Sequence, residues 1–150
     1  MNASHGATVF VLNGVNLGTL GRRRPEVYGT LTLDDIENLL REEFPGVDFE
    51  FRQTDFEGEM VGFIREAAGS DGLLINPGAW THYAYALHDA LETLDLPKVE
   101  VHLSNVHARE AWRRHSVVSP AVHAVVAGMR EWGYVAGVRY VLERRHEGER

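Results

Sequence analysis

The chain has 150 residues, a size that fits one domain with its own hydrophobic core. Its formal net charge of -7 at pH 7 argues against a general nucleic-acid-binding protein, which usually carries a basic surface. It contains no cysteine, which excludes disulfides, thiolate catalysis and cysteine metal sites, and no apolar run approaches the roughly 20 residues of a membrane span.

The organisation predicted from composition is simple. Residues 1–8 are polar and lack the apolar segment of a signal peptide, which favours a cytoplasmic protein. We expect one domain over residues 1–150, with flexible tails at 1–7 and 146–150. An anionic small-molecule ligand is compatible with the negative net charge, because clusters of arginine can dominate the local field.

The first predicted strand, Val9–Leu12, is an apolar run without alternation and is expected to be buried on both faces. A glycine-rich loop with three consecutive arginines, Arg22–Arg24, follows it. The glycines match neither the dinucleotide pattern G-x-G-x-x-G nor a phosphate-binding loop that ends in Gly-Lys-Ser/Thr. These arginines form either a solvated patch or a mobile cover over an anion, and we expect residues 17–29 to be mobile.

Hydrophobic periodicity predicts the elements of the middle and the end of the chain. Thr32 is expected to cap a helix that ends at Pro45 and Gly46. In chain order the elements are a helix at 33–44, a strand with one polar face at 47–52, a helix at 60–67, a buried strand at 72–75 and a helix at about 81–94. After a strand that starts at Val99, a fifth strand at 123–127 and a final helix at about 131–145 are expected.

The segment from Val99 to Glu110 begins as a strand and ends as a polar loop. Apolar residues alternate there with Glu100, His102 and Ser104, so a carboxylate, an imidazole and a hydroxyl share one strand face. The loop adds further titratable and hydrogen-bonding groups at Asn105, His107, Arg109, Arg113, Arg114 and His115. The segment is either a half-exposed strand with a solvated loop or part of a functional site.

The order of the elements favours the second of these interpretations, a functional site. Alternating strands and helices imply a parallel sheet with right-handed crossovers, and five strands fit the doubly wound order 2-1-3-4-5. Ligands bind such sheets beyond the carboxyl ends of the strands, at the switch between strands one and three. The polar segments 13–28, 76–82 and 102–113 follow strands one, three and four, so they are expected to meet at one edge of the sheet and form a site.

Three groups of residues also occur in the order and spacing of a known family. They are Leu12-Asn13-Gly14-Val15-Asn16-Leu17 with Leu20-Gly21-Arg22-Arg23 and Tyr28-Gly29, then Asn76-Pro77-Gly78-Ala79 with Thr81-His82, and last Glu100 to Glu110 with Arg113-Arg114-His115-Ser116. Together they resemble the type II 3-dehydroquinate dehydratases over nearly the whole chain. The resemblance implies a flavodoxin-like α/β fold with a single catalytic domain. It also implies an anti elimination of water from 3-dehydroquinate to 3-dehydroshikimate through an enolate, with no metal or organic cofactor.

That reaction needs a base for a proton alpha to a ketone, a group that stabilises the enolate and an acid for the leaving hydroxyl. By the resemblance, Tyr28 is the base, and Arg23 is the cation that favours its ionised form. Asn16 would hold a water at the enolate oxygen. His102 would be the general acid, with Glu100 on the same strand face to orient the imidazole and support its charged form.

The resemblance assigns further residues to binding of the small anionic substrate. The backbone amides of Leu103 and Ser104, with the Ser104 hydroxyl, would bind its carboxylate. Its ring hydroxyls would be held by three side chains, Asn76, His82 and Arg113. Asp89 would reach the site of a neighbouring subunit, which implies a homo-oligomer of trimers that commonly assemble into a dodecamer. Arg109 is interpreted as structural, linking loop to loop.

The chain departs from the family pattern at several positions near these groups. Val15 replaces a typical proline, Arg24 a glutamate, Asp55-Phe56 an Asn-His pair, Ala84-Tyr85 small or polar residues, and His88 an arginine. These departures affect substrate detail, loop closure and oligomer geometry, and they motivate an alternative substrate, an amino analogue of dehydroquinate.

Two other hypotheses compete with an enzyme of this kind. A non-catalytic flavodoxin-like binding module gives no reason for Tyr28, Arg23 and His102 to occur together. A metal site built from histidines has little support, because His102 and His107 are five residues apart and show no metal-ligand signature.

Overall fold

A computed structural model describes residues 6–148 of the chain. The strands are β1 (Ala7–Asn13), β2 (Val47–Gln53), β3 (Gly72–Asn76), β4 (Lys98–His102) and β5 (Ala124–Ala127). The helices are α1 (Pro25–Tyr28), α2 (Leu33–Glu43), α3 (Glu57–Glu66), α4 (Tyr85–Glu92) and α5 (Trp132–Gly148). All strand pairs are parallel and the sheet order is β2-β1-β3-β4-β5, so the predicted doubly wound, flavodoxin-like α/β fold is confirmed.

Two hydrophobic cores lie on the two faces of the sheet. Alternate residues of a strand point to opposite faces, so Val9 and Val11 of β1 join the core under α2 and α5. Phe10 and Leu12 join the other core, under α3 and α4. All of these residues are buried, as the unbroken apolar run in β1 predicted.

Local chemistry explains why α2 begins where it does. The Thr32 hydroxyl accepts a hydrogen bond from the Asp35 amide at 3.2 Å, and the Asp35 carboxylate accepts one from the Thr32 amide at 3.0 Å. This capping box satisfies two donors that the first helical turn would leave without partners. The predicted cap at Thr32 is therefore confirmed.

The helix predicted at 81–94 is wrong in its first part. Residues Gly78–His82 form a 3₁₀ turn instead, and α4 starts at Tyr85 because the preceding Ala84 has a non-helical backbone, with ψ 82°. The Thr81 side chain turns inward and donates to Glu100 of β4, a contact that a continuous exposed helix would not make. His82 and Asp89 consequently lie on separate elements.

The predicted loop at 17–29 contains regular structure, namely a 3₁₀ turn at Leu17–Thr19 and the four-residue helix α1.

The expected tails at 1–7 and 146–150 include residues 1–5 and 149–150, which lie outside the described residues. Of the rest, Ala7 begins β1 and is 0% exposed, and residues 146–148 continue α5. Within residues 6–148, no helix has the length and apolar character needed to cross a membrane.

Candidate active site

A pocket opens where the loops after β1, β3 and β4 meet. Most of the predicted site residues line it, namely Arg23, Tyr28, Asn76, His82, His102, Leu103, Ser104 and Arg113. The remaining lining residues are Val15, Leu17, Gly78, Ala79, Val106 and Arg109. The edge of the sheet thus brings together three polar segments that are far apart in sequence, as the strand order predicts.

His102 and Glu100 form a buried pair on one face of β4. The residue His102 is 8% exposed, and its Nε2 is hydrogen-bonded to Oε2 of Glu100, which is 0% exposed. Because an ionised carboxylate only accepts hydrogen bonds, Nε2 carries the proton of this bond. Among the described residues, Nδ1 of His102 has no hydrogen-bond partner, and it is therefore the ring nitrogen available to a ligand.

Two hydroxyl groups donate the other side-chain hydrogen bonds that the Glu100 carboxylate accepts. Thr81 donates to Oε2 at 2.5 Å, and Ser119 donates to Oε1 at 2.6 Å. Burial by itself raises the pKa of a carboxyl group, but the hydrogen bonds from its three partners outweigh burial and hold the pKa of Glu100 below its usual value. Glu100 is therefore an anion at neutral pH and a charged acceptor for the Nε2 proton of His102.

Further hydrogen bonds orient the Thr81 hydroxyl, which donates to Oε2 of Glu100. The Thr81 and Ser116 oxygens are 2.6 Å apart, and since Thr81 gives its proton to Glu100, the Ser116 hydroxyl donates to Thr81. The Ser116 oxygen in turn accepts the backbone amides of Val118 and Ser119. The polar face of β4 is thus covered by hydroxyl-bearing turns, and the alternative of a half-exposed strand is wrong.

Two arginines surround Tyr28. Arg109 donates a hydrogen bond from Nη1 to the Tyr28 hydroxyl at 2.9 Å and contacts the Ser104 hydroxyl at 3.3 Å. The guanidinium carbons of Arg23 and Arg109 lie 4.7 and 5.1 Å from the centre of the Tyr28 ring. Arg109 therefore does link two loops, as interpreted, but it does so through the hydroxyl of Tyr28. Its Nη2 is buried and has no hydrogen-bond partner among the described residues, which leaves a donor for a ligand oxygen.

The turn after β4 presents two free backbone donors. Leu103 and Ser104 are 4% and 9% exposed, and within residues 6–148 neither of their amides donates to another protein group. The Leu103 carbonyl is held by the amide of Arg130 at 3.0 Å, which fixes the turn. Adjacent N–H groups of this kind form a concave site for an anion such as a carboxylate.

His82 is held in one orientation and one tautomer. Its Nδ1 lies 2.7 Å from the carbonyl of His115, and its ring meets the edge of Trp112 at 4.9 Å. Burial lowers the pKa of His82, and the charge of Arg113 acts in the same direction. His82 is therefore neutral at pH 7, with Nδ1 donating to the carbonyl and Nε2 left as an acceptor.

Arg113 lines the same side of the pocket as part of a rigid group. It donates to Glu110 at 2.7 Å and stacks on Trp112, 4.1 Å from the centre of the indole. These contacts direct the guanidinium without removing all of its donors, because an arginine has five N–H groups.

Three predicted site residues do not line the pocket. Glu100 lies behind His102, as described. Asn16 is exposed and has a left-handed backbone, φ 68°, with its amide held by the Asp55 carboxylate at 2.8 Å. Asp89 is exposed on α4. The structure therefore does not bring Asn16 or Asp89 to the other site residues within one chain.

The unusual residues nearby have identifiable contacts. Arg24 forms an exposed ion pair with Glu26 at 3.1 Å and does not line the pocket. His88 lies between the Val117 carbonyl and Glu92, and the hydrogen bond to that carbonyl, with help from Glu92, raises the pKa of His88. Neither residue reaches Tyr28 or His102.

Sequence reasoning missed the hydroxyls around Glu100 and the contact from Arg109 to Tyr28. A buried carboxylate must find hydrogen-bond donors, so such partners were to be expected, but nothing in the local sequence says which residues supply them. Within the described part of the chain, no group of three or more His, Asp or Glu side chains is arranged to hold a metal ion.

Taken together, the pocket pairs a phenol next to two guanidinium groups with an imidazole next to a carboxylate. The pocket thus holds a phenol hydroxyl in contact with a cation and an imidazole in contact with an anion, the residue types of a base and an acid. Backbone amides beside them can bind an anionic group. This combination suits proton abstraction followed by protonation of a leaving group.

Comparison with known proteins identifies relatives over nearly the full chain. The family model of dehydroquinase class II matches residues 7–142. The 3-dehydroquinate dehydratase of Kineococcus radiotolerans is 52% identical over 139 residues, which cover 91% of this chain and 95% of the relative. That of Desulfitobacterium hafniense is 46% identical over 137 residues, which cover 90% and 94%. The crystal structure of a type II dehydroquinase from Propionibacterium acnes matches with a TM-score of 0.88 and 46% identity, over 93% of this chain and 98% of that one.

Proposed function

We propose which residues carry out each step of the reaction of this chain. The chain belongs to the class II dehydroquinase family and dehydrates 3-dehydroquinate to 3-dehydroshikimate. The observation that carries the proposal is the lining of one pocket by Tyr28, hydrogen-bonded to Arg109, and by His102, hydrogen-bonded to Glu100. Each pair supports the charged form that one step of an elimination requires.

In the first step, the Tyr28 phenolate removes a proton alpha to the ketone. The C–H bond breaks, the proton moves to the phenol oxygen, and the electron pair forms an enolate. Arg109 and Arg23 support this step because their charges favour the phenolate before proton transfer. Asn16 retains the role of holding a water at the enolate oxygen, and that assignment rests on the family resemblance alone.

In the second step, the enolate collapses and the C–O bond breaks. His102 gives its Nδ1 proton to the departing hydroxyl, which leaves as water. Its Nε2 proton stays on the hydrogen bond to Glu100, which stabilises the imidazolium before transfer and keeps the ring in place after it. Because base and acid are separate groups, the elimination can proceed in the anti sense.

The substrate is held by groups with matching polarity. Its carboxylate binds the free amides of Leu103 and Ser104 and the Ser104 hydroxyl. A ring hydroxyl donates to Nε2 of neutral His82, while Asn76 and Arg113 bind the other ring oxygens. This arrangement fits a small anion that carries several hydroxyls.

The function predicts a direct spectroscopic result. Purified protein is expected to convert 3-dehydroquinate to the conjugated enone 3-dehydroshikimate, with growth of ultraviolet absorbance, without added metal and in the presence of a chelator. Absence of product from protein that is folded by circular dichroism would contradict the assigned activity. Loss of the rate with chelator, restored by a metal, would contradict the proposed metal-free mechanism.

The alternative of an amino analogue of dehydroquinate is not favoured, since the named relatives are 3-dehydroquinate dehydratases. The non-catalytic binding module is not favoured for the same reason. Comparison of kcat/KM for the two substrates separates the substrate hypotheses, and a preference for the amino analogue would reverse our assignment.

We also propose that the chain assembles into trimers and that these form a dodecamer. Asp89 supports this, because it is exposed on α4 and outside the pocket of its own chain. Two large aromatic side chains that precede it closely in sequence are also exposed, Tyr83 at 59% and Tyr85 at 69%, as is common for surfaces buried by a partner subunit.

Asp89→Ala is expected to lower turnover about tenfold or more, because a neighbouring pocket loses a carboxylate. Asp95→Ala, at an exposed position just after α4, is the matched control and should keep the wild-type rate. Light scattering after size exclusion gives the mass of each variant. A fully active monomer would contradict the assembly, and equal rates for the two variants would contradict the proposed role of Asp89.

A further inference from the structure

Tyr134, near the start of α5, joins the ends of two strands from inside the core. The side chain is 0% exposed. Its hydroxyl donates to Oδ1 of Asn13 at 2.5 Å and accepts a hydrogen bond from Nδ2 of Asn76 at 2.9 Å. Asn13 and Asn76 are partners in the register of β1 and β3, at the carboxyl ends where the pocket opens.

The directions of these hydrogen bonds fix the orientation of the Asn76 amide. A phenol has a single proton, and Tyr134 gives it to Asn13, so a lone pair of the hydroxyl faces Asn76. On the other side, Oδ1 of Asn76 accepts the amide of Gly78 at 3.1 Å. A flipped amide would place Nδ2 against that N–H and Oδ1 against the Tyr134 lone pair, so both contacts would become repulsive.

Tyr134 remains an un-ionised phenol under working conditions. Burial raises the pKa of Tyr134 well above its ordinary value. The hydroxyl is therefore a fixed element of the structure and takes no part in proton transfer. One Nδ2 proton of Asn76 is committed to it, and the second is left as the free donor of a residue that lines the pocket.

We propose that Tyr134 is a positioning residue for substrate binding, which holds Asn76 as a hydrogen-bond donor to an oxygen of the substrate ring. The proposal rests on the proposed role of Asn76 in binding a ring oxygen. It adds a specificity rule: the oxygen opposite Asn76 must accept a hydrogen bond.

Tyr134→Phe tests this with steady-state kinetics. Without the hydroxyl the amide loses its anchor on one side, and we expect KM to rise about tenfold while kcat stays within about twofold, because binding is lost equally in the ground and transition states. An unchanged KM would overturn the proposal, as would a fall in kcat alone.

A double-mutant cycle tests whether the effect passes through Asn76. If Tyr134 acts only through this residue, Tyr134→Phe is expected to change nothing further in an Asn76→Ala background. If the loss of kcat/KM in the double variant equals the product of the losses in the two single variants, the proposal is overturned. Activity of Asn76→Ala equal to wild type would instead contradict the proposed role of Asn76, so the two failures are distinguishable.

A matched control separates positioning from general loss of stability. Gly72 lies at the opposite end of β3, away from the pocket, and a Cβ there would overlap Cγ1 of Val141 on α5. Gly72→Ala is expected to lower the melting temperature through overpacking while KM remains at the wild-type value. A tenfold rise in KM in this variant as well would mean that KM reports only a loosened fold, which would overturn the proposal.

If Tyr134→Phe does not fold, the wild-type protein supplies the measurement. With ¹⁵N-labelled asparagine, the Asn76 side-chain amide is assigned by its loss in Asn76→Ala. We expect one Nδ2 proton to be protected from exchange in the free enzyme and the other to shift when 3-dehydroshikimate is added. Two equally exchanging protons, or no shift at saturating ligand, would overturn the proposal.

Discussion

Tyr28→Phe is expected to lower turnover by about a thousandfold or more while substrate affinity stays within a few-fold of wild type. The substitution removes only the hydroxyl, which accepts the hydrogen bond from Arg109 at 2.9 Å. A phenyl ring keeps the shape of the pocket but cannot accept a proton. Turnover is measured by the growth of enone absorbance, and affinity by calorimetry, which is possible because the variant turns over too slowly to consume the substrate.

The size of this effect follows from how the chain supports a phenolate. Two guanidinium groups, those of Arg23 and Arg109, lie 4.7 and 5.1 Å from the centre of the Tyr28 ring. Arg109 is also 9% exposed, so its charge acts through little water. Both guanidinium groups remain in the Tyr28→Phe variant, but the oxygen that would accept the proton is gone.

The control for Tyr28→Phe is Tyr140→Phe, the same change at a tyrosine of α5 that does not line the pocket. This variant is expected to keep the wild-type turnover. A Tyr28→Phe enzyme with a rate within tenfold of wild type would show that another group is the base.

His102→Ala is expected to lower kcat by about a hundredfold to ten-thousandfold, because hydroxide would then leave without a proton. The loss should appear in kcat, since the carboxylate and ring-hydroxyl contacts remain. It also leaves the Glu100 carboxylate without one of its three side-chain donors. We therefore expect a lower melting temperature than wild type, measured by calorimetry alongside the rate.

His107→Ala is the matched control for His102→Ala. It lies in the same segment after β4 but is exposed and does not line the pocket. Wild-type turnover is expected for it. If His102→Ala and His107→Ala had the same kcat, the general acid would have to be sought elsewhere in the pocket.

Local sequence signals were sufficient to predict the strands of the sheet. The apolar runs of β1 and β3 predicted strands buried on both faces, and the alternation in β2 predicted an edge strand. The capping residues of α2 specify its start through contacts within four residues. Each of these signals depends on near neighbours in the chain, which is why it can be recognised without a structure.

The split of the predicted 81–94 helix could not be found in this way. Helical spacing of apolar residues extends back through this segment. The Thr81 hydroxyl, however, donates a hydrogen bond to the Glu100 carboxylate 19 residues away, and the Val117 amide donates one to the Thr81 carbonyl at 2.7 Å. A contact between distant segments thus overrides the local preference for helix. The contact of Arg109 with Tyr28, 81 residues apart, escaped prediction for the same reason.

The candidate acid and the candidate base are built into the chain in different ways. The support of His102 is a fully buried carboxylate whose hydroxyl partners also tie the turns after β3 and β4 to the sheet. Tyr28 instead sits at the end of a four-residue helix with an exposed start. Loss of a hydroxyl partner of Glu100 therefore weakens the fold and the reaction together, whereas loss of the Tyr28 hydroxyl acts on the reaction and leaves the buried contacts of Leu17 and Leu20 in place.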